Sequence, residues 1–158
     1  MKNHQYKTSL VWVGNKGEGT SKYRSYSRNH VITIDGKNAP ILGSSDPSFL
    51  GDPTRYNPEE LLLASLSSCH MLWYLHLCTK NAITVTSYQD EAKGIMFENS
   101  DGSVQFSQVI LQPTVLISNA DNVALAQSLH HAANKLCFIA RSVNFPVKHE
   151  VTIACAGA

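Results

Sequence analysis

The sequence predicts an α+β fold, and three observations carry that prediction. Two strand pairs, Tyr6–Asp35 and Ile83–Ile117, are broken and closed by turn signals. A helical segment follows each pair, Asn57 to about Lys80 and Asn122–Arg141. One last strand, Val147–Ala154, completes the chain. The order β-β-α-β-β-α-β places both helices between strand pairs rather than between single parallel strands, which argues against a doubly wound sheet.

The first strand, Tyr6–Val13, alternates apolar and polar residues. Gly14–Ser21 is glycine-rich but lacks the GKS or GKT ending of a phosphate loop, and no helix follows it. It reads as a hairpin loop. The second strand, Tyr23–Asp35, ends at the Asp35-Gly36 turn signal. Unbroken, it would put Arg24, Tyr26, Arg28, His30, Ile32 and Ile34 on one face, with the two isoleucines in the core. An arginine on that face must reach solvent or meet a carboxylate. Lys37–Tyr56 then runs for about twenty residues through three prolines and two glycines. Connections this long are uncommon in compact domains. Ile41, Leu42, Phe49 and Leu50 suggest that it packs onto something, either a partner subunit or the mouth of a site.

The next helix organises the chain. Asn57 is a good N-cap, Pro58 suits the first helical position, and Glu60 completes a capping box. Glu59 and Glu60 sit where the helix dipole favours negative charge. From Leu61 through His76 no charged residue follows, so no polar face exists and the helix must be covered on most sides. Cys69 lies mid-helix, with Leu62, Ser65, Leu66, Leu72, Trp73 and His76 at helical spacing around it. It is either a core cysteine or a reactive thiolate. The second reading needs a nearby positive charge and access for substrate.

Beyond this helix, Ile83–Phe97 and Val104–Ile117 read as antiparallel partners joined by the Asn99-Ser-Asp-Gly102 turn. Gly94 marks a bulge or bend, and Pro113 an edge position or a kink. In Asn122–Arg141, Leu125, Leu129, Ala132, Ala133, Leu136 and Ala140 recur at helical spacing, with Asn119 or Asp121 available as a cap. Cys137 follows Ala133 by four residues, near the apolar side.

The chain of 158 residues has one domain's length, 1–158, and can build a real core. Its net charge of +1 gives nothing to attract nucleic acid. No apolar run is read as long enough to span a bilayer, and the first residues lack a signal peptide's apolar core. The expectation is a soluble, cytoplasmic protein. The four cysteines, 69, 78, 137 and 155, need not pair in a chain of this size. Cys69 and Cys78, about 13 Å apart on opposite helix faces, cannot bridge. There is no CxxC, the histidines lack zinc-ligand spacing, and no cofactor motif occurs.

Asn57-Pro-Glu-Glu-Leu-Leu, Ser67-Ser-Cys-His70 and Lys135-Leu-Cys137 together resemble the OsmC/Ohr family of osmotically inducible and organic-hydroperoxide-resistance proteins. The resemblance covers most of the chain, and the spacing from Asn-Pro-Glu to Cys is its most specific part. It implies an α+β intertwined homodimer, with antiparallel sheets wrapped around long central helices. It also implies a thiol peroxidase for organic hydroperoxides, reduced by a dithiol such as a lipoylated protein. Cys69 falls on the peroxidatic cysteine and Cys137 on the resolving cysteine. Glu59 falls on the glutamate that pairs with an active-site arginine. The hydroperoxide-resistance branch places that arginine after a Gly-Gly in the first hairpin, where Gly14–Ser21 has none. Arg28, on the Ile32/Ile34 face, is the first choice for this role, Arg24 the second and Arg55 the third.

Helix geometry constrains the site. Glu59 and Cys69 are ten residues apart, about 15 Å along one straight helix. The expected site therefore combines Cys69 and Cys137 of one subunit with groups supplied across a dimer interface. A covering argument points the same way, because one sheet layer and one helix cover only part of the Cys69 helix. The alternative is a non-catalytic small-molecule binder or redox sensor on the same scaffold. A cysteine hydrolase lacks a histidine partner: His70, adjacent to Cys69, diverges from it by about 100°.

Overall fold

The computed structural model describes residues 2–155. The chain forms two compact units, residues 1–61 and 62–158.

The first unit is a three-stranded antiparallel sheet in the order β1-β2-β3, made of Ser9–Trp12, His30–Thr33 and Ile41–Gly43. Ser9 pairs with Thr33 and Trp12 with His30, while His30 also faces Gly43. The strand expected over Tyr23–Asp35 is thus confined to four residues. Before it, the chain turns through an isolated bridge between Asn15 and Tyr26. The Asn15 carboxamide oxygen accepts from the Gly17 and Gly19 N–H groups at 2.9 and 3.0 Å. Both glycines have positive φ, which side chains other than glycine rarely adopt.

The long connection is ordered. It supplies β3, a short 3₁₀ turn at Pro47–Phe49, and a polar knot. The buried Ser44 hydroxyl donates to the Asn29 carboxamide oxygen and accepts from the Asp52 N–H, both at 3.0 Å. These bonds offset the cost of folding an irregular segment inward. Strand β1 is uncovered, with Leu10, Val11 and Trp12 all exposed.

Helix α1 spans Pro58–Lys80. Its start is the expected capping box. The Asn57 carboxamide oxygen accepts from the Glu60 N–H at 2.8 Å, and the Glu60 carboxylate accepts from the Asn57 N–H at 3.0 Å.

The second unit holds the rest of α1, helix α2 (Val123–Leu136) and two three-stranded sheets. One sheet orders β4 (Val85–Asp90), β7 (Pro113–Ile117) and β9 (Thr152–Cys155); the other orders β5 (Lys93–Glu98), β6 (Val104–Leu111) and β8 (Val147–His149). Each strand read as continuous is therefore two strands with a corner between them. At that corner Asp90 accepts from the Gln112 N–H at 2.7 Å and from the Ser67 hydroxyl of α1. Pro113 follows directly and has no N–H to offer a ladder, so the strand kinks there. The Phe106 ring lies over Gly94, where a Cβ would sit 2.5 Å from Cε1, and the register shifts just beyond, between Ile95 and Met96.

The final strands correct the expectation of wholly antiparallel sheets. β8 pairs parallel to β6, and β9 parallel to β7. The crossover through α2 is long enough to return the chain in the same direction.

One apolar cluster gathers Tyr74 and Cys78 of α1, Ile83, Val115, Ile117, and Ala126, Leu129 and Ala133 of α2. A second joins Leu66 to Val109 and Leu111. By length and composition, the 23-residue α1 is long enough to cross a bilayer, contrary to the reading that no run suffices. Its Leu66, His70, Tyr74 and Cys78 are instead buried among protein groups, as in a core helix. Replacing Asn57 by alanine removes one acceptor of the capping box. It should lower stability by about 1 kcal/mol in chemical denaturation, without changing the denaturant slope.

Candidate active site

Two elements bring the sequence-predicted cysteines together. Cys69 sits mid-way along α1 and is only 7% exposed. Cys137 ends α2, with its N–H bonded to the Ala133 carbonyl at 2.9 Å, and leaves the helix in an extended conformation. The Ala140 N–H donates to its sulfur at 3.4 Å. Cys137 is wholly buried and its thiol lies against that of Cys69. Burial, followed by the neighbouring Cys69 thiol, pushes the Cys137 thiol above its ordinary pKa, against the opposing pull of the Ala140 N–H. Neither cysteine is in a disulfide.

A cavity of about 260 Å³ opens beside Cys69, lined by Ser65, Ser68, Leu72, Trp73, Phe138 and Ile139. A second recess of about 250 Å³ shares Leu72, Trp73 and Phe138 and reaches His76. The two serines are small and turned away. Ser65 donates to the Leu62 carbonyl at 2.7 Å and Ser68 to the Ser65 carbonyl at 3.2 Å. The space next to the sulfur is therefore apolar, and no ionised side chain lines it. Sequence reasoning placed Ser65, Leu72 and Trp73 around Cys69 but missed Phe138 and Ile139. Their only signal was adjacency to Cys137.

The other predicted site residues belong to the first unit. Glu59 lies in the first turn of α1, and one of its carboxylate oxygens is buried without a hydrogen-bond partner. Because α1 is unbroken from Pro58 to Lys80, Glu59 stays ten residues, about 15 Å, from Cys69. The Arg28 guanidinium is engaged by its own hairpin. It donates to the Tyr26 and Tyr23 carbonyls, both at 2.9 Å, and lies 4.4 Å from the centres of both tyrosine rings. Arg24 is exposed in the turn. Arg55 pairs loosely with Asp52 at 3.6 Å and donates to the His30 carbonyl at 3.4 Å.

The histidines are the larger omission from the sequence reading. His70 turns away from Cys69, as the helical offset requires, and its Nε2 is 2.9 Å from Nδ1 of His130 on α2. Tyr74 stacks on the His130 ring at 3.7 Å, and His149 lies 5.7 Å from the His70 ring. Burial, and then the neighbouring His149, lowers the His70 pKa to about 4. Burial, then His70 and His149, lowers that of His130 to about 3. Burial also lowers His149, with His131 adding to the effect. The pair is thus held neutral, with one ring donating to the other. Among the described residues, no three histidine, cysteine or acidic side chains are placed to hold a metal ion.

These features define an α+β protein in which two facing thiols lie beside an apolar pocket. Residues 51–152 match the family model for OsmC-like proteins, and the chain belongs to that family. It is 26% identical to the uncharacterized protein YmaD of Bacillus subtilis (strain 168), with 99% of each chain aligned. An OsmC-like protein of unknown function from Vibrio cholerae has a similar structure, with a TM-score of 0.83 and 34% identity, covering 94% of this chain and 99% of that one. An organic hydroperoxide resistance protein from Elizabethkingia anophelis shares the fold, with a TM-score of 0.66 and 15% identity over 98% of this chain and 100% of that one.

The neutral histidine cluster predicts a pH dependence. Above pH 6.5 the folded and unfolded histidines are both neutral, and stability is unaffected. As pH falls below 6.5 the unfolded histidines take up protons before His70 and His130 do. Stability should then fall by about 1.4 kcal/mol per pH unit for each of the two, down to about pH 4. Urea midpoints measured between pH 7.5 and 4.5 check this, and a flat profile would contradict the burial of neutral rings.

Proposed function

We propose that the protein is a cysteine-based organic hydroperoxide reductase. The observation that carries this reading is the contact between Cys69 and Cys137 beside an apolar pocket. Cys69, as thiolate, attacks the terminal oxygen of R–O–O–H. The O–O bond breaks, the alkoxide takes up a proton and leaves as the alcohol, and Cys69 becomes a sulfenic acid. The sulfur of Cys137 then attacks that of Cys69, and the hydroxyl leaves as water. The resulting disulfide protects Cys69 from irreversible oxidation. A dithiol, such as a lipoylated protein, supplies two electrons and two protons to restore both thiols. The apolar lining favours an organic peroxide over hydrogen peroxide.

The thiolate needs a cation that the pocket lining does not include. We assign it to an arginine held by Glu59, with Arg28 first, Arg24 second and Arg55 third, supplied across a homodimer interface. Three features of the single chain support a partner subunit. Leu72 is 63% exposed and Phe138 60% exposed beside the pocket, strand β1 is uncovered, and Glu59 keeps a buried oxygen unpaired. We place the reaction in the cytoplasm, where dithiol reductants keep such thiols reduced.

Supplied with a dithiol, the wild type should consume cumene hydroperoxide, and Cys69→Ser should lose at least about 10³-fold in rate. Equal rates for the two would eliminate the enzyme and leave a binding protein. Cys137→Ser should consume about one equivalent of peroxide and accumulate a dimedone-reactive sulfenic acid at Cys69. Dimers should be seen by light scattering.

A further inference from the structure

The mechanism above does not use the buried His70–His130 pair, although it is placed at the same helix contact as the thiols. His70 is the residue next to Cys69 on α1. His130, Ala133 and Cys137 run along one face of α2 at spacings of three and four, and all three are fully buried. Each end of this face meets α1. His130 meets it through the 2.9 Å bond to His70 and the stacked Tyr74 ring, and Cys137 through the Cys69 thiol. Ala133, the smallest of the three, packs between them in the cluster with Tyr74 and Cys78.

Apolar packing of this kind is tolerant of small slides, because its attraction is non-directional. A hydrogen bond between two rings is not tolerant. It fixes one distance and one direction, and breaking it leaves two ring nitrogens unsatisfied in a dry interior. Cys137 is the residue where α2 ends, and beyond it the following turn holds it through the Ala140 N–H on its sulfur at 3.4 Å and the Arg141 N–H on its carbonyl at 3.0 Å, so its distance from α1 is set by how α2 lies on that helix. The sulfurs must approach within bonding geometry for a disulfide to close, and that geometry is narrow.

We propose that His70 and His130 are positioning residues which set the register of α2 on α1 and so hold Cys137 where it can attack oxidised Cys69. The role of Cys137 in this proposal rests on the peroxidase reading; the register itself does not. The pair touches neither sulfur. Its effect falls on the step that joins the two cysteines and spares the first oxidation of Cys69.

The test separates those steps on the intact protein. Diamide oxidises neighbouring thiols without any peroxide chemistry: two thiols give up two electrons and two protons, the diazene becomes a hydrazine, and a disulfide forms. The rate of Cys69–Cys137 linkage under diamide is followed by peptide mass mapping in the wild type, His130→Leu, His70→Leu and His130→Asn. Asparagine keeps a polar atom near the position of Nδ1. Far-UV circular dichroism establishes that each variant is folded. In parallel, each histidine change is combined with Cys137→Ser, and dimedone labels Cys69 after a pulse of cumene hydroperoxide.

The leucine variants should link roughly tenfold more slowly, His130→Asn should recover to within about threefold of wild type, and dimedone labelling of Cys69 in the Cys137→Ser background should be unchanged in all. A folded leucine variant that links at the wild-type rate overturns the proposal, as does an asparagine variant as slow as leucine. If both leucine variants unfold, the folded asparagine variant decides alone. Near wild-type linkage supports the pair as a pin, and a tenfold loss overturns it. A wild type that links under diamide while its Cys137→Ser variant never gives a dimedone adduct sinks the peroxidase reading. The leucine and asparagine rates still decide the register in that case.

Discussion

Helix α1 is a long helix with no polar face, and the rest of the structure answers to that constraint. Water cannot cover such a surface cheaply, since each large aliphatic side chain left exposed forgoes about 1.5–3 kcal/mol. The second unit covers one stripe, Leu66, Cys69, His70, Tyr74 and Cys78, with two sheets and α2. Leu72, beside Trp73 and Phe138, is left open. The pocket is what remains where covering stops, and the cysteine lies at its boundary. It is buried enough to be sheltered from water and close enough to the opening to meet an apolar molecule.

The site has an uneven balance of polar and apolar groups. Its lining carries no ion, so the pocket wall offers no charge to the Cys69 sulfur. Polar groups in the helix contact are instead concentrated in a neutral histidine pair a residue away. Leaving either ring unpaired in that interior would cost about 1–3 kcal/mol, more than the net gain of about 1 kcal/mol from an ordinary hydrogen bond. The pair is therefore better understood as fixing one arrangement of the helices than as a large source of stability.

Much of the fold was legible. The Asn57–Glu60 capping box, the length of α1, the turn at Asn99–Gly102 and the amphipathic run of α2 are all local patterns, and local patterns survive folding. Pro113 marked a kink, but the corners at Asp90 and at His149–Thr152 were not legible, because neither carries a glycine or proline to mark it. At Gln112 the backbone N–H is taken by the Asp90 carboxylate of the neighbouring strand. The parallel pairing of β8 and β9 was hidden for a related reason, since strand direction is a property of the crossover and not of the strand. Of the site, Cys69 and Cys137 were picked out by sequence, and the structure places them in contact. Phe138, Ile139 and the His70–His130 pair were not picked out for the site, because each acquires its meaning only from a residue far away in the chain.

By itself, the sequence determined the span of α1, the start of α2 and the apolar face of α2, but not the end of α2, which stops at Leu136 instead of running on to Arg141. Capping, periodicity and residue type are set within a few positions of each other, so they can be read along the chain. Only the tertiary structure decided that Cys137 meets Cys69, that the His70 ring faces His130 rather than the neighbouring sulfur, and that the space beside the thiol is apolar and uncharged. Those outcomes depend on the packing of one helix against another, where distances of a few ångströms separate residues some sixty positions apart.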